Sequence, residues 1–182
     1  MTGRGQARAA NNLAFNYRFL GRHEEAAAAL NDALAVQRQV GDRYGEGIAL
    51  CNLGEAYLEI GRLDDAIIRS REALAIVRDI GSARVEGYAL CNLGRANLDL
   101  GHAAVAADML GQALAIHRAE GDRYGEAQDL QYIGSASAQA GRLAEARTAW
   151  QRACSLFAAL GEGAPAAEFR SSLLQLDAQS AD

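Results

Sequence analysis

The segment "GDRYGEG", residues 41–47, places three glycines within seven residues ahead of an apolar run. Backbone amides in such a loop could cradle a phosphate at the start of a helix. That chemistry also needs a lysine followed by serine or threonine, or a GxGxxG turn leaving a strand. The segment has neither, and all 18 basic residues of the chain are arginine. The absence of lysine also removes a Schiff base and a lysine general base. The three histidines, His23, His102 and His117, share neither a register position nor a metal-ligand spacing. His23 and His102 fall in short turns and His117 on a helix, and all three are expected to face solvent or lie in a turn. Cys51, Cys91 and Cys154 have no CxxC spacing and read as buried, inert thiols. Asp64 with Asp65, and Glu24 with Glu25, fall in the first turn of a helix, where carboxylates favour the positive dipole end. No catalytic set, metal site or cofactor site emerges, so the chain is expected not to be an enzyme.

The glycine-rich segment is one copy of a recurring unit. "GSARVEGYALCNLG" from Gly81 and "GDRYGEAQDLQYIG" from Gly121 repeat it at intervals of forty residues. A second block recurs at the same interval, from "GRHEEAAAALNDALAV" at Gly21 to "GRLAEARTAWQRACSL" at Gly141. A ligand loop would occur once, whereas a fixed period of this length marks a solenoid or array. Within 41–80 the apolar positions follow helical spacing on both sides of Gly61. Gly41, Gly81, Gly121 and Gly161 stand where the second helix of each unit would be capped. Asp42 and Asp122 follow two of these glycines and are placed to accept amides at the next helix start. Each unit is therefore an antiparallel helix pair, over residues 1–40, 41–80, 81–120 and 121–160. Residues 163–178, with Phe169, Leu173, Leu174 and Leu176 on one side, are expected to form a capping helix, completing a single domain over 1–182.

Half of the residues are hydrophobic, only 6% are aromatic and there is one proline, a composition that favours an all-helical fold. The net charge of -5 offers no basic stripe to a nucleic acid. No apolar run is long enough to span a bilayer, and the N-terminus lacks the apolar stretch of a secretory signal. A cytoplasmic location with no membrane or nucleic-acid partner is the expectation.

Leu53, Gly54, Tyr57, Ala66 and Ala73, then Leu93, Gly94, Ala106, Leu110 and Ala113, then Ile133, Gly134, Ala146, Trp150 and Ala153 resemble the pattern of the tetratricopeptide repeat (TPR) family. The resemblance covers about residues 1–160 and implies an all-α, right-handed α-solenoid of four repeats plus a capping helix. Ser70 replaces the large residue in the second repeat. The forty-residue unit is similar to the repeats of G-protein-regulating spindle-orientation scaffolds and of large bacterial transcription regulators. The lysine-free, alanine-rich composition favours the bacterial group, and the chain is expected to be part of a larger regulatory protein.

In such a solenoid the first helices line the concave face. Helical spacing places Arg8, Asn12, Phe15 and Phe19 on it, followed by Ile48, Asn52, Glu55 and Glu59. Tyr88, Asn92, Arg95 and Asp99 continue the row, and Gln128, Tyr132 and Ser135 end it. The resemblance implies that Asn12, Asn52 and Asn92 hold the backbone of an extended peptide, since an amide both donates and accepts. Alternatively, an asparagine here satisfies a polar group of the neighbouring helix. Tyr132 takes the asparagine position in the fourth repeat and would offer a flat apolar face. The expected partner is a protein or peptide, an apolar segment with a basic residue. Self-assembly of copies through an exposed solenoid end is the alternative.

Overall fold

The computed structural model describes residues 3–162; the capping helix expected over 163–178 and the Arg8 side chain lie outside the described residues and side chains. The described residues form eight helices and no strand: α1 Gly3–Phe19, α2 His23–Val40, α3 Arg43–Glu59, α4 Leu63–Asp79, α5 Ala83–Asp99, α6 Ala103–Ala119, α7 Arg123–Gln139 and α8 Leu143–Ala159. Each helix packs on the next in the chain, and α3 also touches α5, as α5 touches α7. The odd-numbered helices therefore form one layer and the even-numbered helices the other, the architecture of an α-solenoid. No helix among the described residues is long and apolar enough to cross a membrane.

The turns follow from glycine. Gly41 has φ of 69° and closes α2, its own amide reaching Arg38 and the Asp42 amide reaching the Gln37 carbonyl at 2.9 Å. This left-handed step satisfies the last carbonyls of the helix, and a side chain would strain it. Asp42 then caps α3 by accepting from the Gly45 amide at 3.0 Å, and Asp122 caps α7 through Gly125 at the same distance.

Arginine pins the joints. Arg38, Arg78 and Arg118 each bond the glutamate eight residues on, Glu46, Glu86 and Glu126, at 2.8, 2.7 and 2.8 Å. The Arg78 and Arg118 pairs are exposed and add little stability alone, whereas Glu46 is buried. The pairs recur at the same place in three successive joints.

The core joins both layers, with Leu50 and Leu53 of α3 and Leu90 and Leu93 of α5 buried against rows on the second helices at helical spacing: Ala66, Ser70, Ala73 and Val77 on α4, and Ala106, Leu110, Ala113 and His117 on α6, all buried. His117 corrects the expectation of a solvent-facing or turn residue, for it is fully buried. Its Nδ1 lies 2.6 Å from Oδ2 of Asp129 on α7, itself fully buried. Gly87 and Gly125 make room for the imidazole, since a β-carbon at either would approach the ring within 3 Å. Burial pushes the Asp129 carboxyl above the usual carboxylate range, against the pull of the His117 hydrogen bond.

Candidate binding groove

The inward side of the odd-numbered helices holds a concavity of ≈ 560 Å³ that runs from the end of α1 to the residues following α8. Of the residues expected on this face, it gathers Phe15, Phe19, Glu55, Glu59, Tyr88 and Gln128, and adds Arg18, His23, Tyr124 and Glu162. Phe15 and Phe19 are 67% and 85% exposed, large apolar surface that no described residue covers. A second, smaller hollow of ≈ 280 Å³ opens between the N-terminal halves of α3 and α5. It brings together Ile48, Asn52, Glu55 and Tyr88 with Tyr44, Cys51, Arg84 and Val85. Asn12 and Asp99 are exposed, and Arg95, Tyr132 and Ser135 are half-buried, none of them lining either hollow.

Four of the charges on this face are paired across neighbouring helices. Arg18 on α1 binds Glu55 on α3, and Arg95 on α5 binds Glu59 on α3 at 2.5 Å. The Arg95 guanidinium also lies 5.6 Å from the centre of the Tyr132 ring, so the flat face expected to be open there is covered. Burial raises the Glu55 carboxyl, opposed by the Arg18 charge. A charged ligand would have to displace one of these partners, whereas an uncharged one would not.

The asparagine row divides. Asn92 is buried, and its Nδ2 donates to the Cys51 carbonyl on α3 at 2.9 Å, which ties α5 to α3. Asn52, one repeat earlier, is half-buried at the rim of the smaller hollow and makes no hydrogen bond to the described residues. Asn92→Ala should therefore lose about 1–3 kcal/mol of stability, as the buried carbonyl loses its donor, and Asn52→Ala should leave the melting curve nearly unchanged. Parallel urea melts of the two variants decide this, and equal losses would reject the division.

The helical-wheel reading missed Arg18, although its counterparts at the forty-residue spacing are Leu58, Leu98 and Ala138. An arginine where other copies are apolar is the signal that could have found it. Tyr44 and Tyr124, in the glycine-rich joints, line the smaller hollow and the larger concavity, respectively. The Cys51 thiol at the floor of the smaller hollow is pushed up to about 12 by burial, consistent with an inert thiol.

Residues 5–79 match a family model described as tetratricopeptide repeat. Residues 5–79 carry tetratricopeptide repeats. Among solved structures, the Rap protein complexed with Competence and Sporulation Factor superposes over all of the chain with a TM-score of 0.87 at 18% identity. The chain spans about half of the Rap protein's length, 50%. The nearly identical TPR-like repeats of a kinesin light chain from Podosopora anserina match 99% of the chain and 99% of their own at a TM-score of 0.68 and 18% identity. At such identities the likeness concerns the fold. No curated protein matches the chain.

Proposed function

We propose that the protein is a non-catalytic interaction module that holds a peptide segment of a partner protein in its concave groove. The carrying observation is the exposure of Phe15 and Phe19 on a face whose charges, Arg18 with Glu55 and Arg95 with Glu59, are mutually neutralised. Such a surface favours an apolar, mostly uncharged segment, a revision of the basic residue expected from the unpaired view of Glu55 and Glu59. A cytoplasmic place within a larger bacterial regulatory protein fits the lysine-free composition. The solution of the Rap protein with Competence and Sporulation Factor bound is in keeping with a partner-binding role.

Peptides selected from a displayed random library on the intact chain test this reading. Phe15→Ala with Phe19→Ala should weaken the selected peptides by about tenfold or more, the scale of a buried aromatic anchor, with melting unchanged. Unchanged affinity in the folded variant would move the site elsewhere.

A second reading is self-assembly through the solenoid end. Leu13 is 46% exposed on α1, where its counterparts Leu53 and Leu93 are buried. Stacking of copies would appear as a dimer whose population falls on dilution.

A further inference from the structure

The smaller hollow between α3 and α5 exists because one repeat departs from the next. In the following interval Tyr88 reaches from α5 to the cap of α7, its hydroxyl donating to Asp122 Oδ2 at 2.8 Å, and Arg84 lies 3.4 Å from the same carboxylate oxygen. Tyrosine and aspartate close that interval. Forty residues earlier the same two places hold Ile48 and Ser82. Isoleucine is too short to span the gap, and the Ser82 side chain makes no capping hydrogen bond. The space that Tyr88 and Asp122 fill in one interval is open in the other.

The open space is shaped. Cys51 and Val85, both buried, lie at its floor, and Tyr44 and Tyr88 flank it. Tyr88 is fixed on two sides, by the bond to Asp122 and by the His117 ring, whose centroid is 4.7 Å from its own at an interplanar angle of 57°. Tyr44 is exposed. At the rim Asn52 keeps its amide without a bond to the described residues, whereas Glu55 is held by Arg18 and Arg84 by Asp122. Glu55 and Tyr88 also line the larger concavity, so the hollow opens directly off it.

We propose that this hollow is a specificity socket that takes one uncharged apolar side chain, of leucine or phenylalanine type, from a bound extended peptide. The proposal rests on the groove-binding reading and names its selective element. The volume of ≈ 280 Å³ lies just below the roughly 300–1,000 Å³ of pockets that enclose a whole drug-sized ligand. It suits one side chain. The rim charges are already paired, so an acidic or basic side chain would enter only by breaking a pair, and its own charge would lose water over an apolar floor.

The test uses blocked peptides, acetyl-Ala-Ala-X-Ala-Ala-amide, with X leucine, phenylalanine, aspartate or lysine, titrated against the intact chain by NMR. Leucine or phenylalanine at X should bind about tenfold tighter than aspartate or lysine and shift the signals of Tyr44 and Val85. Ile48→Tyr with Ser82→Asp imports the closing pair of the next interval and should abolish this discrimination while the chain stays folded. Tyr44→Ala, which removes an exposed flanking ring without filling the space, should reduce it and serves if the double variant does not fold. Equal binding of all four peptides, with shifts at Phe15, Phe19 and Tyr124 alone, overturns the socket and leaves the groove standing. Shifts at neither set overturn both.

Discussion

Asp129→Ala alone should lower stability by about 3–5 kcal/mol, whereas Asp129→Ala together with His117→Val should return it to the wild-type level or above. The single change leaves the fully buried His117 ring with no partner for Nδ1, and Nε2 already lacks one among the described residues. A buried polar group stripped of its partner costs far more than the pair contributes, and an apolar pair of suitable shape commonly does as well as a buried ion pair. The chain itself supplies the apolar solution. One repeat earlier the same places hold Val77 and Ala89, both fully buried. That layer also has Val85 where Gly125 stands against the imidazole, so adding Gly125→Val transplants the whole neighbouring arrangement. Urea unfolding of the two single variants, the double and the triple gives the coupling directly. A loss below about 1 kcal/mol for Asp129→Ala would mean that the pair is not the element joining these repeats.

The forty-residue period made the helix pairs and their caps legible, because a left-handed glycine and a capping aspartate act locally and recur. Gly41 and Asp42 need only their own few neighbours to do their work. What was not legible depends on distances between repeats. Asn52 and Asn92 occupy the same register position, yet only Asn92 finds a carbonyl, that of Cys51, within reach across the helix layer. His117 lay within reach of sequence reasoning, for it continues the row Ala106, Leu110, Ala113 at helical spacing. Its polarity argued against burial because its partner, Asp129, stands in the next helix at a place where other copies carry alanine. The same spacing puts Phe15, Phe19, Glu55, Glu59, Tyr88 and Gln128 on one face, and these residues line the larger concavity. The electrostatics of that face were not legible, since Arg18 and Arg95 neutralise glutamates on a neighbouring helix that only the packing brings near. The smaller hollow is likewise visible only when Ile48 and Ser82 are set against Tyr88 and Asp122 in three dimensions.

Alanine at Gly54, Gly94 and Gly134 should separate three sites that the repeat pattern treats as one. Each glycine faces the second helix of its own pair, where a β-carbon would meet Ser70 Oγ at 2.3 Å, Leu110 Cγ at 2.6 Å and Trp150 Cδ1 at 2.4 Å, respectively. The distances are similar, so what decides is whether the neighbour can yield. Ser70 carries a small hydroxyl that has no hydrogen-bond partner among the described residues and can rotate away. Leu110 is fully buried with less freedom to shift. The Trp150 indole is rigid and tied through Nε1 to the Gln131 carbonyl at 3.0 Å. Against each clash stands the gain of about 1 kcal/mol from replacing glycine by alanine inside a helix. Gly54→Ala should therefore come out near neutral, Gly94→Ala mildly destabilising and Gly134→Ala a net loss of roughly 1–3 kcal/mol, the cost of overpacking a tight interface. Chemical unfolding of the three variants reads the order directly. A Gly134→Ala variant as stable as the parent would show that the indole can move, and with it that α7 and α8 are not locked at their closest approach.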